Sequence, residues 1–363
     1  MVGSLFLADR THLLLNSLES LKIYDSFLKF LNHNYSLVHH MNSETKILPD
    51  LQTFKKLPHA VSLLGMSGVG KTVLSSGLRR HSNWFHFSAD YRIGTAYLAE
   101  HIVDNIKYKI MNMKDPFVAD LLRSDSIYIS HNITVENLDP VSTFLGMFGD
   151  QKFRGLDKST FIERQDLYRD GEISSMLDVM RFIDKAWRIY RCHNFINDAS
   201  GSLCEVVDPD DENDEVLSSL TKDTVILYLR ADDLYENKLL ERAQSHPKPL
   251  YYHSDFITPR LSNMPDDGVG VNPIDFARPL FPELLDFRKP RYQKIADDFG
   301  FTMDVNDLFG DGFGNNTDID SDVFMEKLYC TMERTIAASE TGAENAIKYI
   351  QACENRLRRH EQV

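Results

Sequence analysis

The chain has 363 residues, of which 42% are hydrophobic, enough for one large domain with additions or for two domains. Its 40 Lys and Arg residues stand against 54 Asp and Glu residues, and the net charge of −14 argues against a surface that binds nucleic acid. The four cysteines form no CxxC pair, and no stretch offers a signal-peptide core or the roughly 18 apolar residues that cross a bilayer. We therefore expect a cytoplasmic protein without a membrane or nucleic-acid partner.

The first segment, residues 1–57, carries leucines at mixed three- and four-residue spacings, among them Leu14, Leu18 and Leu21. This spacing predicts one or two amphipathic helices. Two roles are open for this N-terminal extension. It can pack on the core, which the pattern favours, or it can bind a protein partner.

A short apolar strand at residues 60–64 ends directly in the run GMSGVGKT, and a helical pattern follows. The run matches G-x-x-x-x-G-K-[ST] in the strand-to-helix context that the motif requires. Glycines let the backbone curl so that N–H groups point at phosphates, and the helix N-terminus adds positive charge. The motif predicts a P-loop for a nucleotide with Mg²⁺, and the lack of an Asn-Lys-x-Asp run favours ATP over GTP. The expected nucleotide-binding residues are Gly65, Ser67, Gly68, Val69, Gly70, Lys71 and Thr72.

Within this loop, Lys71 would reach the β- and γ-phosphates and the Thr72 hydroxyl would ligate Mg²⁺. Two acidic residues close later strands and are candidates for organising the metal. Asp90 follows the predicted strand at residues 84–87, and Asp198 ends the one at residues 194–198 in a Walker-B-like setting. Asp90 is also a candidate for taking a proton from the phosphate acceptor. The alternative for both is a helix N-cap at a strand-to-helix turn.

Residues 91–193 carry a mostly helical pattern that is far longer than a crossover needs, so substrate recognition is expected there. Arg92 lies two residues after Asp90 and is the best candidate for contacting a substrate. For four other charged residues a solvated helix face is the favoured interpretation: Arg123, Arg154, Arg164 and Glu172.

The remaining predicted strands cover residues 224–229 and 301–305, with helical patterns between them. Strands that alternate with helices predict an α/β fold with a parallel sheet. We expect a three-layer P-loop NTPase fold with a five-stranded parallel sheet at residues 58–335. The large helical insert lies within it, and a C-terminal surface helix occupies residues 336–363.

Beyond the P-loop, three segments resemble shikimate kinase and its relatives among the nucleoside-monophosphate kinases. They are LLER at residues 239–242, PKPL at residues 247–250 and RYQKIA at residues 291–296, in the family's order. The resemblance implies that Arg242 is a lid residue that closes over the nucleotide phosphates and stabilises charge on the transferred group. The alternative for Arg242 is a surface salt bridge. The stretches at residues 88–105 and 202–210 also resemble a bacterial group of P-loop ATPases without an assigned substrate.

Two departures from the family stand out. Residues 88–90, SAD, offer one carboxylate where the family has a pair, and SGS at residues 200–202 replaces a double glycine, so shikimate is not the expected substrate. We predict a kinase that transfers the γ-phosphoryl group of ATP to a small molecule with Mg²⁺. The alternative is a regulatory ATPase or a nucleotide-dependent switch that acts on a protein partner. The predicted catalytic residues are Lys71, Asp90, Asp198 and Arg242.

Overall fold

The computed structural model describes residues 47–81, 83–114, 116–310 and 319–361. The chain divides into two compact units, Met1–Lys56 and Leu57–Val363. In the described part of the first unit lies helix α1 (Leu51–Lys55), which begins at Asp50 because this carboxylate accepts the backbone N–H groups of residues 52 and 53. The rest of the predicted N-terminal helices lie outside the described residues, so their role stays a prediction.

The second unit contains the predicted five-stranded parallel sheet, in the order β2-β3-β1-β4-β5. Each strand lies within one residue of its predicted position. The strands are β1 (Ala60–Leu64), β2 (Trp84–Ser88), β3 (Asn194–Asp198), β4 (Val225–Arg230) and β5 (Gly300–Asp304). All five residues of β1 are buried, as expected for a central strand whose two faces are both covered by helices.

Fifteen helices follow in the described part of the second unit. They are α2 (Lys71–His81), α3 (Ala89–Arg92), α4 (Ala99–Met111), α5 (Pro116–Arg123), α6 (Asp139–Leu145), α7 (Lys158–Arg188), α8 (Leu203–Val206), α9 (Glu215–Asp223), α10 (Asp233–Ser245), α11 (Ser254–Leu261), α12 (Pro273–Ala277), α13 (Leu280–Phe299), α14 (Val305–Phe309), α15 (Ser321–Ala338) and α16 (Glu340–Glu361). A π-helical turn, Ile93–Tyr97, joins α3 to α4, and a 3₁₀ turn, Gln151–Phe153, precedes α7. Helix α2 packs on β2 and β3, whereas α13 packs on β4 and β5. None of the helices in the described ranges combines the length and apolar character that a membrane crossing requires.

The long insert is mainly helical, as predicted, and its dominant element is α7, with 31 residues. This helix packs on β2 and β3 and buries a stripe at helical spacing that contains Gln165, Tyr168, Glu172 and Val179. The expectation of a solvated face is therefore wrong for Glu172 and also for Arg164, which donates to the carbonyl of residue 144. The other two charged residues, at positions 123 and 154, are exposed as expected.

The predicted C-terminal helix is α16, and it buries one of its faces, as surface helices of globular proteins usually do. Ala346, Tyr349, Ile350 and Cys353 are all nearly inaccessible to solvent. The Tyr349 hydroxyl lies 2.6 Å from Nδ1 of His59, the residue that precedes β1. The last turn of α16 carries basic residues, as expected from the helix dipole.

Candidate functional site

Strands β1 and β3 are neighbours in the sheet, but the connections that follow them run in opposite directions. The connection after β1 leads to β2 at one edge of the sheet, whereas the connection after β3 passes β1 and leads to β4. Right-handed crossovers in opposite directions place the following helices on opposite faces of the sheet. Ligands of open parallel sheets bind in the crevice at the carboxyl ends of such strands. The glycine-rich loop, residues 65–72, follows β1 at this crevice, and Asp198 ends the neighbouring strand.

The backbone of the glycine-rich loop takes a path that needs glycine. Gly65, Gly68 and Gly70 have φ angles of +144°, +93° and +99°. A Cβ atom on Gly65 would stand 2.8 Å from the carbonyl oxygen of Leu229, and one on Gly68 would stand 2.9 Å from a methyl group of Leu239. The loop is therefore held against β4 and α10, in a conformation that L-residues rarely adopt.

The sides of the loop differ in exposure. Met66 and Val69 are buried beneath it, whereas Ser67, Gly68 and Thr72 face solvent. The exposed part of the loop therefore includes two hydroxyl-bearing residues, Ser67 and Thr72, at the carboxyl end of β1.

Lys71 is the first residue of α2, and only 6% of it is exposed. Its Nζ donates to the carbonyl oxygens of Gly65, at 2.7 Å, and Met66, at 3.2 Å. Burial lowers the pKa of this amine, while the negative charges of Asp198 and Asp90 oppose that effect. The structure therefore brings together the lysine and both acidic residues that the sequence singled out.

Asp198 is buried at the end of β3, and it does not cap a helix. Its Oδ2 lies 3.4 Å from Nε2 of His86, whose side chain is enclosed within the sheet. Neither ring nitrogen of His86 has a hydrogen-bond partner among the described residues. Sequence reasoning missed His86, although a polar residue inside the apolar strand β2 was a usable signal.

Asp90 is also free of a capping role, because Ser88 caps α3 by accepting the N–H of Tyr91 at 3.4 Å. Asp90 is half-buried, and its Oδ1 accepts a hydrogen bond from the Tyr168 hydroxyl at 3.1 Å. Burial and the charge of Asp198 raise the pKa of Asp90, and Lys71 opposes them. Tyr168 was missed as well, since its partner is 78 positions away.

The turn between β3 and α8 is held by α13. The Gly201 carbonyl accepts hydrogen bonds from Arg288 at 2.7 Å and from the Tyr292 hydroxyl at 2.6 Å. Arg288 also pairs with Glu205 at 2.9 Å, and both side chains are enclosed. Burial alone would lower the pKa of Arg288, but Glu205, together with Tyr292 and Cys204, outweighs burial and the pKa is raised. The sequence analysis gave no role to Arg288, which lies one helical turn before the RYQKIA segment that carries the resemblance.

The structure places Arg92 in an ion pair. Its Nε and Nη2 lie 2.7 and 2.6 Å from Oδ2 of Asp178 on α7, and its guanidinium faces the ring of Phe182. These contacts hold the half-buried side chain of Arg92 on α7. Its predicted contact with a substrate stays a prediction.

Arg242 lies exposed in the last turn of α10. Its side chain forms no ion pair with a residue that the structure describes, so the salt-bridge alternative gains no support. Leu239, which contacts the glycine-rich loop near Gly68, lies three positions earlier on the same helix. Residues three apart share a helix face, so α10 presents Arg242 on the side of the loop.

A cleft of about 710 Å³ lies at the carboxyl ends of β4 and β5. Its two basic side chains are paired, Arg230 with Asp304 at 2.7 Å and Lys289 with Glu236 at 2.7 Å. Further carboxylates leave the lining acidic overall. This cleft is therefore unsuited to phosphate groups and suits an uncharged ligand that donates hydrogen bonds.

No group of three or more His, Cys, Asp or Glu side chains in the described ranges is arranged to hold a metal ion. This does not conflict with the predicted magnesium site, because Mg²⁺ in nucleotide sites takes one or two protein ligands and completes its shell with phosphates and water. The residues predicted for it, Thr72, Asp198 and Asp90, all lie at or just after the carboxyl ends of neighbouring strands, and the exposed Thr72 is the second residue of α2.

Comparison of the chain with family models, with curated proteins and with solved structures found no match in any of the three. A function therefore has to be proposed from the geometry of the site.

Proposed function

We propose that the chain binds ATP with Mg²⁺ at residues 65–72 and transfers the γ-phosphoryl group to a small molecule. The observation that carries the proposal is the loop itself. Three glycines at positive φ and a buried lysine lie at the N-terminus of α2, directly after the central strand of a parallel sheet. A turn of this kind directs successive backbone N–H groups into one concavity, and the helix dipole favours an anion there.

Lys71 and Thr72 have complementary roles in this proposal. The Nζ of Lys71 has three donors, of which two are used by the carbonyls of residues 65 and 66, so one remains for a phosphate oxygen. Thr72 supplies an exposed hydroxyl to Mg²⁺, and Asp198 supplies the carboxylate on the neighbouring strand. The metal would neutralise charge that develops on the phosphates.

Asp90 and Arg242 act on the transferred group. Asp90 takes the proton of the acceptor hydroxyl, and its raised pKa brings it nearer to the range in which a carboxylate is an effective base. Arg242 closes over the phosphates from the end of α10. The acidic cleft at the carboxyl ends of β4 and β5 would repel the phosphates. In this proposal it therefore takes the uncharged base of the nucleotide.

One observation favours the alternative, a regulatory ATPase that acts on a protein partner. Large apolar side chains are exposed along α4, α5 and the segments that follow them, including Tyr108 at 71%, Phe117 at 66% and Tyr128 at 89% exposure. Exposed apolar residues that cluster on one part of a surface are typical of protein interfaces.

The nucleotide site is tested with Lys71→Ala. Calorimetric titration with Mg²⁺-ATP should show affinity reduced by about 100-fold or more, because a charge-assisted contact at the phosphates is lost. Lys222→Ala, an exposed lysine on α9, is the control and should bind like the wild type. Unchanged affinity in Lys71→Ala would refute the proposed site.

The two candidate activities differ in what limits ADP release. A kinase releases ADP in proportion to an added acceptor, so turnover should rise with one member of a pool of small hydroxylated or carboxylated metabolites. Slow hydrolysis that no small molecule stimulates, and that a protein partner alters, would favour the regulatory ATPase.

A further inference from the structure

The Tyr168 hydroxyl contacts the carboxylate that the proposed mechanism uses as its base. Tyr168 lies in α7, and only 8% of it is exposed. Its hydroxyl donates to Oδ1 of Asp90 at 3.1 Å, and Oγ of Ser200 lies 3.3 Å from the same hydroxyl. The proposed phosphoryl transfer leaves Tyr168 without a role, although it touches one of the reacting groups.

The ring of Tyr168 is held on one side by the ring of Tyr251. The two rings are stacked, with centroids 5.6 Å apart and planes inclined by 21°. Tyr251 is buried, and its carbonyl oxygen accepts a hydrogen bond from Nη2 of Arg288 at 2.9 Å. The stacking contact therefore restricts the Tyr168 ring, and with it the position of the hydroxyl.

Gln165 fixes the segment that carries Tyr251. It lies three positions before Tyr168 on α7, and its side chain is buried. Its Oε1 accepts the backbone N–H of Tyr252 at 2.9 Å, and its Nε2 donates to the carbonyl oxygen of Leu250 at 3.4 Å. Helix α7 thus holds the residues on both sides of Tyr251 and keeps its ring against Tyr168.

The element that carries Asp90 does little to fix its carboxylate. Helix α3 has four residues, Ser88 caps it, and a π-helical turn follows at Ile93–Tyr97. The last torsion of an aspartate side chain is broad and roughly two-fold, so the carboxylate turns at little cost unless a partner holds it. A hydroxyl on a restricted ring is such a partner, because a hydrogen bond prefers a near-linear geometry.

We propose that Tyr168 is a positioning residue for Asp90, holding its carboxylate in the orientation that meets the acceptor hydroxyl. The inference rests on the proposed function, because that proposal makes Asp90 the base. In the transfer step the acceptor oxygen gives its proton to Asp90 and forms a bond to the γ-phosphorus. The bond from that phosphorus to the bridging oxygen breaks, and ADP leaves with the electron pair. Tyr168 keeps its own proton throughout.

Tyr168→Phe removes the hydroxyl and keeps the stacked ring. ADP release from Mg²⁺-ATP, with water as the acceptor, should show kcat lowered by about 10- to 100-fold, because a misplaced reacting group slows the step, and an unchanged KM for ATP. Calorimetric titration should give the wild-type affinity for Mg²⁺-ATP, since the glycine-rich loop is untouched. A wild-type kcat in Tyr168→Phe would overturn the proposal, and so would a loss confined to ATP affinity.

The matched control is Tyr349→Phe. It also removes a buried tyrosine hydroxyl, which lies 2.6 Å from Nδ1 of His59, but this contact lies ahead of β1, at the opposite end of the strand from the glycine-rich loop. Tyr349→Phe should therefore keep the wild-type kcat. A loss of kcat as large as that of Tyr168→Phe would show a general effect of losing a buried hydroxyl and overturn the proposal.

The hydrogen bond itself is tested with p-aminophenylalanine in place of Tyr168. This residue keeps the ring and offers an N–H donor where the hydroxyl lies, so kcat should recover most of the loss seen in Tyr168→Phe. A kcat as low as that of Tyr168→Phe would show that donation to Asp90 does not set the rate, and it would overturn the proposal.

Coupling to Asp90 separates this inference from the proposed function. Asp90→Ala should lower kcat by about 10²- to 10⁴-fold, the usual contribution of a general base. Adding Tyr168→Phe should then cause no further loss, because Tyr168 has no carboxylate left to position. An equal loss from Tyr168→Phe in both backgrounds would overturn the inference. A wild-type kcat in Asp90→Ala would instead refute Asp90 as the base in the proposed function.

Discussion

Gly201 lies directly against Ser67 of the glycine-rich loop. A Cβ atom on Gly201 would stand 2.8 Å from the backbone nitrogen of Ser67 and 3.1 Å from its Cβ. Arg288 and Tyr292 donate to the Gly201 carbonyl, so the turn cannot move away from the loop without disturbing two hydrogen bonds. The β3–α8 turn therefore supports the conformation of the loop.

Gly201→Ala should weaken binding of Mg²⁺-ATP by about 5- to 150-fold, since relieving the contact with Ser67 costs about 1–3 kcal/mol and displaces the loop. Isothermal titration measures this. The control is Gly270→Ala, at a glycine with φ +81° and nothing within 4 Å of its added Cβ. That variant should lose about 1–2 kcal/mol of stability from backbone strain but keep its affinity. Equal affinity in both variants would contradict the proposed support.

Asp198→Asn should remove the dependence of ATP affinity on Mg²⁺, because an amide is a weaker ligand for this hard cation than a carboxylate. Affinity is measured with Mg²⁺ and again with a chelator. The ratio of the ATP affinity with Mg²⁺ to the ATP affinity with the chelator should approach one in Asp198→Asn. Glu212 is an exposed acid in the loop before α9, and the control variant Glu212→Gln should keep the wild-type ratio. A wild-type ratio in Asp198→Asn would assign the metal to another residue.

Arg242→Ala should lower kcat by about 10²- to 10³-fold with little change in ATP affinity, if Arg242 meets charge that develops only during transfer. Steady-state kinetics with Mg²⁺-ATP provide the measurement. Arg278→Ala, an exposed arginine paired with Asp275 at 3.4 Å, is the matched control and should retain kcat. A loss of affinity without a loss of kcat would make Arg242 a binding residue instead.

Arg288→Met should destabilise the fold by about 3–5 kcal/mol, because it leaves the Glu205 carboxylate buried without its partner. Adding Glu205→Leu should restore much of that loss, since a matched apolar pair avoids the unpaired charge. Denaturant unfolding of both single variants and the double variant measures the coupling. A double variant no more stable than Arg288→Met would show that the pair is not the stabilising contact.

Glu172→Gln should gain stability relative to the wild type as pH rises from about 4.5 to about 7. The folded pKa lies above the unfolded value, so the neutral wild-type group stabilises the fold fully below the unfolded pKa and loses this effect as pH rises through the folded pKa. The shift corresponds to a difference on the order of 3 kcal/mol. Thermal unfolding of both proteins across this range measures it, and parallel stability curves would place the Glu172 pKa near its ordinary value.

The sequence by itself determined the elements whose pattern is local. The apolar run of β1, the glycines after it and the helical pattern of α2 are contiguous, so the strand, the loop and the helix could be located together. Alternation of strands with helices was enough to predict a parallel sheet of five strands, which the structure confirms. The phosphate site that this local pattern predicts stays a proposal.

Only the tertiary structure decided which side chains meet. The strand order places β3, and not β2, beside β1, and this brings Asp198 next to the glycine-rich loop. Tyr168 and Glu172 lie on α7, and only the packing of this helix on the sheet shows that their side of the helix is buried. Arg92 pairs with Asp178, which lies 86 positions away in the sequence. Hydrophobic periodicity predicts which face of a single helix or strand is buried. It does not predict which distant element covers that face, and the partners of buried charges depend on that packing.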